Sequence, residues 1–297
     1  MVQGPGVGRD CAIFHVKEKN YCMTSVETVI VMEMQQVRHG IFHAVNNLIC
    51  GGAEPISVSL GVTLPENAEE SDLRAVMDMA DDSCREAGVA ISGGHTEVSS
   101  AVKKPIVTIC AMGTTSEGVK NQICPGLDLV MTGYAGMEGT AILARAKEQE
   151  LLERFPLDLV RAAQEFDKKL SLEQEGKIAA ICGASAMHDI SQGGVFGALW
   201  ELCERHGIGM EAELKKIPLK QETVEICELL GLNPYCLLSG GASFIAVEDG
   251  QHLVMELAKN GIASVLIGRT TDKKDKVLLN GEECRFLEKP AQDEMLR

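Results

Sequence analysis

Hydrophobic and polar positions along the chain switch between two periods, and the switches mark elements. Residues 11–16 and 21–32 read as strands around a short turn at 17–20, with Val26, Val29, Ile30 and Val31 supplying β-branched side chains. Residues 37–50 change to helical spacing, with Val37, Ile41, Ala44, Val45 and Leu48 on one face and Gly51-Gly52 as the stop. Residues 55–64 alternate strictly through Ile56, Val58, Leu60, Val62 and Leu64, a strand. Residues 69–87 form an amphipathic helix with Leu73, Val76, Ala80 and Cys84 inward. The acids Glu69, Glu70 and Asp72 sit at its positive start, and Gly88 ends it. A short buried strand at 89–92 is expected to run into a turn, Gly93-Gly94-His95-Thr96-Glu97, followed by a strand at 105–114.

Residues 116–126 lose periodicity around Gly118 and Pro125-Gly126, which places a domain boundary here and gives domains 1–118 and 119–297. Beyond it the pattern predicts a strand at 127–132 and helices near 139–149, 157–169 and 171–182. A strand at 184–187 is followed by a turn over 188–194 and a helix at 195–206. The remaining elements are a strand at 208–213, a helix at 221–230, a strand at 243–247, a helix at 251–260 and strands at 263–270, 276–279 and 283–287. Strands and helices alternate irregularly, so the expected class is α+β or mixed-sheet α/β.

Composition narrows the function classes. Lys and Arg number 28 against 43 Asp and Glu, a formal charge of −15, which disfavours phosphate backbones and anionic membrane surfaces. No apolar run reaches the roughly 20 residues a membrane span needs, and no secretory signal pattern is visible, so a cytoplasmic protein is expected. Aromatic residues make up 4%, which leaves a core of Val, Ile, Leu, Met and Ala. The eleven cysteines include no C-x-x-C pair and read as reduced, mostly buried thiols. His39 and His43 are four apart on a helix, but Gly40 follows His39 where a metalloprotease has Glu. The clusters at 66–70 and 273–276 read as solvated charge.

Candidate chemistry gathers at three glycine-rich turns: Gly4-Pro5-Gly6-Val7-Gly8-Arg9-Asp10, Gly93 to Glu97, and Asp189-Ile190-Ser191-Gln192-Gly193-Gly194. Glycine lets backbone N–H groups approach an anion, and a following helix start adds partial positive charge. No Walker A loop is present. Asp10, Glu27, Glu97, Asp189 and the pair Asn46-Asn47 sit among apolar neighbours, and a buried acid needs a partner or a metal such as Mg2+. His95 and His188 lie in the expected turns.

These segments occur in a recognisable order. Asn46-Asn47-Leu48 with Gly52-Ala53-Glu54-Pro55 resembles the N-D-[LIV]…G-A-[ER]-P stretch of the aminoimidazole ribonucleotide (AIR) synthase, or PurM-like, superfamily. That superfamily includes the hydrogenase maturation factor HypE, selenophosphate synthetase and thiamine-monophosphate kinase. Gly8-Arg9-Asp10-Cys11-Ala12 resembles G-D-D-A-A, Val26-Glu27 falls where T-D stands, and Gly93-Gly94-His95-Thr96 resembles G-G-[DE]-T. Asp189 to Gly194 resembles the HypE-type D-P-T-x-G-G, and Pro218-Leu219 and Leu229 to Pro234 are also HypE-like.

The resemblance implies an AIR synthase-like fold: an N-terminal mixed-sheet domain that dimerises through its strands, and a C-terminal α/β domain. It implies ATP as cofactor, with Mg2+, and phosphoryl transfer to a small carbonyl, amide or thioamide substrate. Gly8, Arg9, Asp10, Glu27, Asn47, Gly93, Gly94, Thr96, Gly193 and Gly194 would bind the nucleotide. Asp10 and Glu27 would hold the metal, and Asp189, His95 and Glu97 would take part in catalysis. Arg9, Asn47 and His95 stand where the family carries acids, which implies weaker Mg2+ binding, and Arg9 offers a direct phosphate contact instead. The last cysteine, Cys284, lies thirteen residues before the end, so HypE's own reaction, which uses a C-terminal cysteine, is not expected. The chain starts almost at the first motif, so an N-terminal segment common in relatives is expected to be missing. The competing expectation is a non-catalytic nucleotide-binding homodimer, or a maturation-factor-like partner protein, with a degenerate metal site.

Overall fold

A computed structural model describes residues 2, 9–17, 20–115, 123–289 and 292–296. It divides into two compact units, Met1–Lys120 and Asn121–Arg297. Gly8, most of the first glycine-rich turn and the expected boundary after residue 118 lie outside the described residues.

In the first unit, β1 (Cys11–Lys17) and β2 (Asn20–Ile30) form an antiparallel hairpin, and α1 (Gln35–Cys50), β3 (Glu54–Leu64), α2 (Glu70–Glu86), β4 (Ala90–Val98) and β5 (Ile106–Thr115) follow. The sheet order is β1-β2-β5-β3-β4. All pairings are antiparallel except β3 with β4, which α2 connects as a crossover. Side chains alternate, so one face carries Ile13, Met23, Val58, Leu60, Val62, Val107, Ile109 and Ala111 into a core shared with α1 and α2. The other face is open among the described residues, and Phe14, Val26 and Ile30 are exposed on it.

Helix α1 is buried at twelve of its sixteen residues, including the polar His39, His43, Asn46 and Asn47. It packs tightly at Gly40, where an added Cβ would meet Val29 Cγ1 and Ile109 Cδ1 at 2.8 Å each. Arg38 ties it to the end of α2 through a two-pronged pair with Glu86 at 3.0 and 2.7 Å. The acids expected at the start of α2 form a capping box, in which the Glu69 N–H donates to Asp72 Oδ2 at 2.9 Å.

The segment 93–97 departs from the expected turn. β4 runs straight through it, with Leu60 opposite Gly94 and Leu64 opposite Val98. It is an exposed edge strand over nearly its whole length rather than a short buried one. Gly93, at φ +148°, lies where the register slips opposite Val58 and Ser59, so the glycine makes a bulge instead of a turn. Gly94 faces β3 so closely that a Cβ there would meet the Leu60 carbonyl oxygen at 2.0 Å.

The second unit contains β6 (Asp128–Thr132), α3 (Met137–Ala146), α4 (Glu148–Leu152), α5 (Leu157–Gln164), α6 (Glu173–Ile181), β7 (Ala186–Ile190), α7 (Gly194–His206), β8 (Gly209–Glu213) and α8 (Gln221–Leu230). It continues with β9 (Ala242–Val247), α9 (Gly250–Lys259), β10 (Ser264–Thr271), β11 (Lys276–Asn280) and β12 (Glu283–Phe286). Its sheet order is β12-β11-β8-β10-β6-β9-β7, antiparallel except for β11 with β8. Leu129, Met131, Phe244 and Ile267 of the sheet pack with Ala198, Leu199 and Leu202 of α7.

Four expectations are corrected here. The helix expected at 139–149 is two helices broken at Lys147. The next ends at Gln164 rather than 169, because Arg145 takes the Gln164 carbonyl at 2.8 Å and both carboxylate oxygens of buried Asp167. The strand expected to stop at 187 continues to Ile190, so His188 and Asp189 are buried strand residues opposite Phe244 and Ser243 of β9. Lys276 is not solvated either: it lies largely buried against Glu204 at 3.0 Å and over the Trp200 ring. Among the described residues no helix is long and apolar enough to cross a membrane.

All eleven cysteines are free thiols; Cys124 and Cys284 are exposed, and five others are buried. Burial pushes the Cys203 and Cys227 thiols up to about 12 and Cys84 to about 11. A thiol at about 12 is ionised at roughly one part in ten thousand at pH 8. With Ellman's reagent at pH 8, Cys124 and Cys284 are expected to react first and Cys84, Cys203 and Cys227 only on unfolding. Folded-state pKa values raised this way stabilise the fold while the thiols stay neutral. Stability is therefore expected to fall as pH climbs above the ordinary thiol range of about 8.5, read by urea unfolding at pH 7.5 and 10. Gly94→Ala is expected to destabilise the first unit by about 1–3 kcal/mol in the same assay, since a backbone oxygen stands where the methyl must go.

Candidate functional site

The family-like positions of the first unit meet where β1 begins, β2 passes and α1 ends. Asn47, buried in the last turn of α1, donates from Nδ2 to Ser25 Oγ at 3.0 Å and to Glu27 Oε1 at 3.1 Å. Its carbonyl accepts the Cys11 thiol at 3.2 Å and the Gly51 N–H at 3.0 Å. Cys11 in turn pairs with Ser25 across the hairpin, which puts exposed Arg9 and Asp10 at the threshold of the cluster. Strand alternation explains why Ser25 and Glu27 both face α1: odd-numbered residues of β2 point to the helices and even-numbered ones to the open face.

The electrostatics of this corner favour a cation. The C-terminal end of α1 carries partial negative charge, and the carboxylate of Glu27, bonded to Asn47, adds to it. Ser25 is buried and Glu27 half-buried, so the surrounding dielectric is lower than water's. One Glu27 oxygen is fixed by Asn47, and the donor set of one or two carboxylates suits a Mg2+ ion that arrives with phosphates. A bare phosphate would be repelled here unless Arg9 met it.

The β4 residues do not join this cluster within one chain. Gly94 is in the row that runs through Leu60 and Ile109 to Glu27, three strand spacings or roughly 14 Å away. His95 and Glu97 pair with Gly61 and Thr63 and so lie on the open face, opposite to Glu27 and Asn47. Glu97 Oε1 accepts from Thr63 Oγ1 at 3.2 Å, and His95 Nε2 lies 3.9 Å from Glu97 Oε2, both side chains well exposed. Thr96 faces the helix side beside Val62.

In the second unit, Asp189 and His188 are neighbours at the end of β7. Their closest oxygen and nitrogen are 3.7 Å apart, and His188 Nε2 lies 3.4 Å from Glu201 Oε2 of α7. The turn that follows does lead into a helix start as expected, with Gly193 at φ +78° and Gly194 at φ +61°. Gly194 is required by space, because a Cβ would meet the Leu237 and Tyr235 carbonyl oxygens at 2.7 Å. Both amides are already engaged: Gly194 N–H donates to Ser191 O at 3.1 Å, and Gly193 N–H donates to Asp293 Oδ2 at 2.6 Å.

Asp293 escaped the sequence reading, as did Glu138 and Ser25. Asp293 lies a hundred residues from its partner, and nothing local marks it. Burial raises its pKa above the usual carboxylate range, and nearby Glu138 raises it further, against the opposing pull of backbone donors at Met295, Gly193 and Leu238. Glu138 is fully buried in the first turn of α3 and accepts the Gly240 N–H at 3.0 Å. An acid just after Gly136, at a helix start, was the one available signal for it.

Residues 8–115 match the AIR synthase related protein N-terminal domain, and residues 125–280 match the C-terminal domain of the same family. The carbamoyl dehydratase HypE of Rhodobacter capsulatus is 29% identical over 234 residues, covering 76% of this chain and 66% of the relative. The fold is similar to that of a crystallised HypE–HypF complex, with a TM-score of 0.80 and 20% identity over 96% of this chain and 94% of that one. A crystal structure of HypE in complex with ATP gives 0.74 and 19% over 93% and 87%. With both halves matched in order, this chain belongs to the AIR synthase related protein family.

Proposed function

We propose that this chain binds ATP at the corner formed by Asp10, Glu27 and Asn47 and transfers a phosphoryl group to a carbonyl, amide or thioamide oxygen of a small substrate. The observation that carries the reading is the Asn47 side chain bonded to both Ser25 and Glu27, which fixes one carboxylate beside a helix C-terminus. HypE, whose fold this chain shares, has been crystallised with ATP, and a HypE relative is named a carbamoyl dehydratase. Phosphorylating such an oxygen makes it a leaving group, and metal ions beside the phosphates spread the developing charge. Glu27 and Asp10 would hold that Mg2+. Asn47 orients Glu27, and Arg9, exposed and permanently charged, would meet a phosphate oxygen. Gly93, Gly94 and Thr96 lie on β4 and do not reach this corner within the first unit. His95 and Glu97 belong to the open face.

That open face also supports the homodimer reading. Val26 and Ile30 are exposed on it beside Cys110 and Met112, an apolar surface of the kind a second sheet covers. The HypE–HypF complex supports a maturation protein as a further partner. The second functional reading, a nucleotide-binding homodimer without turnover, is favoured by one observation: Arg9, Asn47 and His95 remove acids from the metal-binding pattern.

Calorimetry with ATP separates the readings. The enzyme reading predicts binding that needs Mg2+, weakened about tenfold or more by Asp10→Ala and by Glu27→Gln, which corresponds to about 1.4 kcal/mol. It also predicts slow ATP hydrolysis that either substitution abolishes. Binding indifferent to Mg2+, with no hydrolysis, favours the second reading, and no binding removes both. For the dimer, Val26→Asp combined with Ile30→Asp is expected to halve the mass seen in sedimentation equilibrium. An unchanged mass contradicts an interface on the open face.

A further inference from the structure

The sheet of the second unit ends on β12, and the outer edge of that strand is open. β11 and β12 form a hairpin closed by two residues, with Asn280 opposite Glu283 and Gly281 at φ +65° in the turn. The Leu287 N–H donates to the Lys276 carbonyl at 2.7 Å. Backbone groups alternate along an antiparallel ladder, so those of Glu283 and Arg285 also turn toward β11, and those of Cys284 and Phe286 turn outward. Among the described residues no strand pairs that outer edge. An edge that offers backbone donors and acceptors is a template for another strand.

The side chains divide between two faces. Arg285 lies opposite Leu278, which packs in the core with α7, so Glu283 and Arg285 share that face. Both stay well exposed, and the Arg285 guanidinium donates to the Glu283 carboxylate at 3.1 Å. Cys284 and Phe286 point to the opposite face, beside half-buried Leu279 and Val277. Phe286 is 68% exposed, and Cys284 is an exposed thiol. The strand thus carries an acid and a base two residues apart on one face and an apolar stripe on the other.

We propose that β12 pairs antiparallel with β12 of a second copy of this chain, about a two-fold axis through Cys284. Charge selects the register. Centred on Cys284, Glu283 of each copy lies opposite Arg285 of the other, so opposite charges meet twice. Centring on Glu283 or on Arg285 sets like charges against each other, and centring on Phe286 leaves Arg285 opposite Leu287. Cys284 also has outward-facing backbone, so in the chosen register each Cys284 N–H donates to the carbonyl of the other. Phe286 of each copy then lies diagonally from Cys284 of the other, which continues the apolar stripe across the junction. The contact uses the second unit alone and requires neither a nucleotide nor the open face of the first unit.

Cross-linking the full chain with a short bis-maleimide tests the register, in a Cys124→Ser background that removes the other exposed thiol. Across a hydrogen-bonded pair the two Cys284 Cα atoms stand about 5.5 Å apart, so a covalent dimer is expected, and Cys284→Ser is expected to abolish it. Arg285→Glu sets acid against acid twice, and Glu283→Arg sets base against base. Each alone is expected to lower the yield about tenfold, and both positions are exposed, so the fold is retained. An equimolar mixture of these two variants restores opposite charges at both positions and is expected to recover cross-linking. The proposal is overturned by a parent yield no higher than that of Cys284→Ser, by a yield indifferent to Arg285→Glu, or by a mixture no better than either variant alone. The readout needs no ATP. A dimer formed through the first unit is told apart because its yield does not respond to charge at 283 and 285.

Discussion

Helix α1 ends on an amide that could not be buried without partners in the sheet. Removing the Asn47 side chain from water costs about 1–3 kcal/mol unless its donors are used, and they are used by Ser25 and Glu27. This bond pair sets the rotation of α1 about its axis. With Asn47 facing β2, Gly40 faces Val29 and Ile109, and the apolar stripe of Val37, Ile41, Ala44 and Leu48 meets the same sheet face. The polar link and the packing therefore specify one arrangement, and a half-buried acid is held at the corner as a result.

The sheet supplies the second half of the constraint. Side chains alternate across it, so residues one position apart in sequence occupy different environments. Ser25 and Glu27 belong to the buried face, while Val26 and Thr28 belong to the open one. The same rule separates Thr96 from His95 and Glu97 on β4. One physical fact thus sorts the candidate residues into those that can share the Asn47–Glu27 corner and those that lie on the open face.

Much of this was legible in the sequence. The alternation at 55–64 and the acids opening α2 located β3 and its neighbouring helix to within a residue or two, because each signal arises locally. The Asn46-Asn47 interruption marked a polar place on the apolar face of the helix, and Asn47 proved to be the link to Glu27. Failures came where partners lie far apart in the chain. Gly93-Gly94 reads as a turn until β3 offers it a strand to pair with, and His188-Asp189 reads as a turn until β9 does. The occupied amide of Gly193 was invisible, because its acceptor, Asp293, becomes a neighbour only in the folded second unit.

The proposed function requires a metal–nucleotide to settle at the junction of β1, β2 and α1. Mn2+ can stand in for Mg2+, and its unpaired electrons broaden nearby backbone amide signals. On adding Mn2+–ATP to the isotope-labelled chain, amides of residues 10–11, 25–27 and 46–48 should broaden first, with those of 95–97 affected later and less. Broadening centred on β4, or spread evenly over acidic surface residues, would contradict the account.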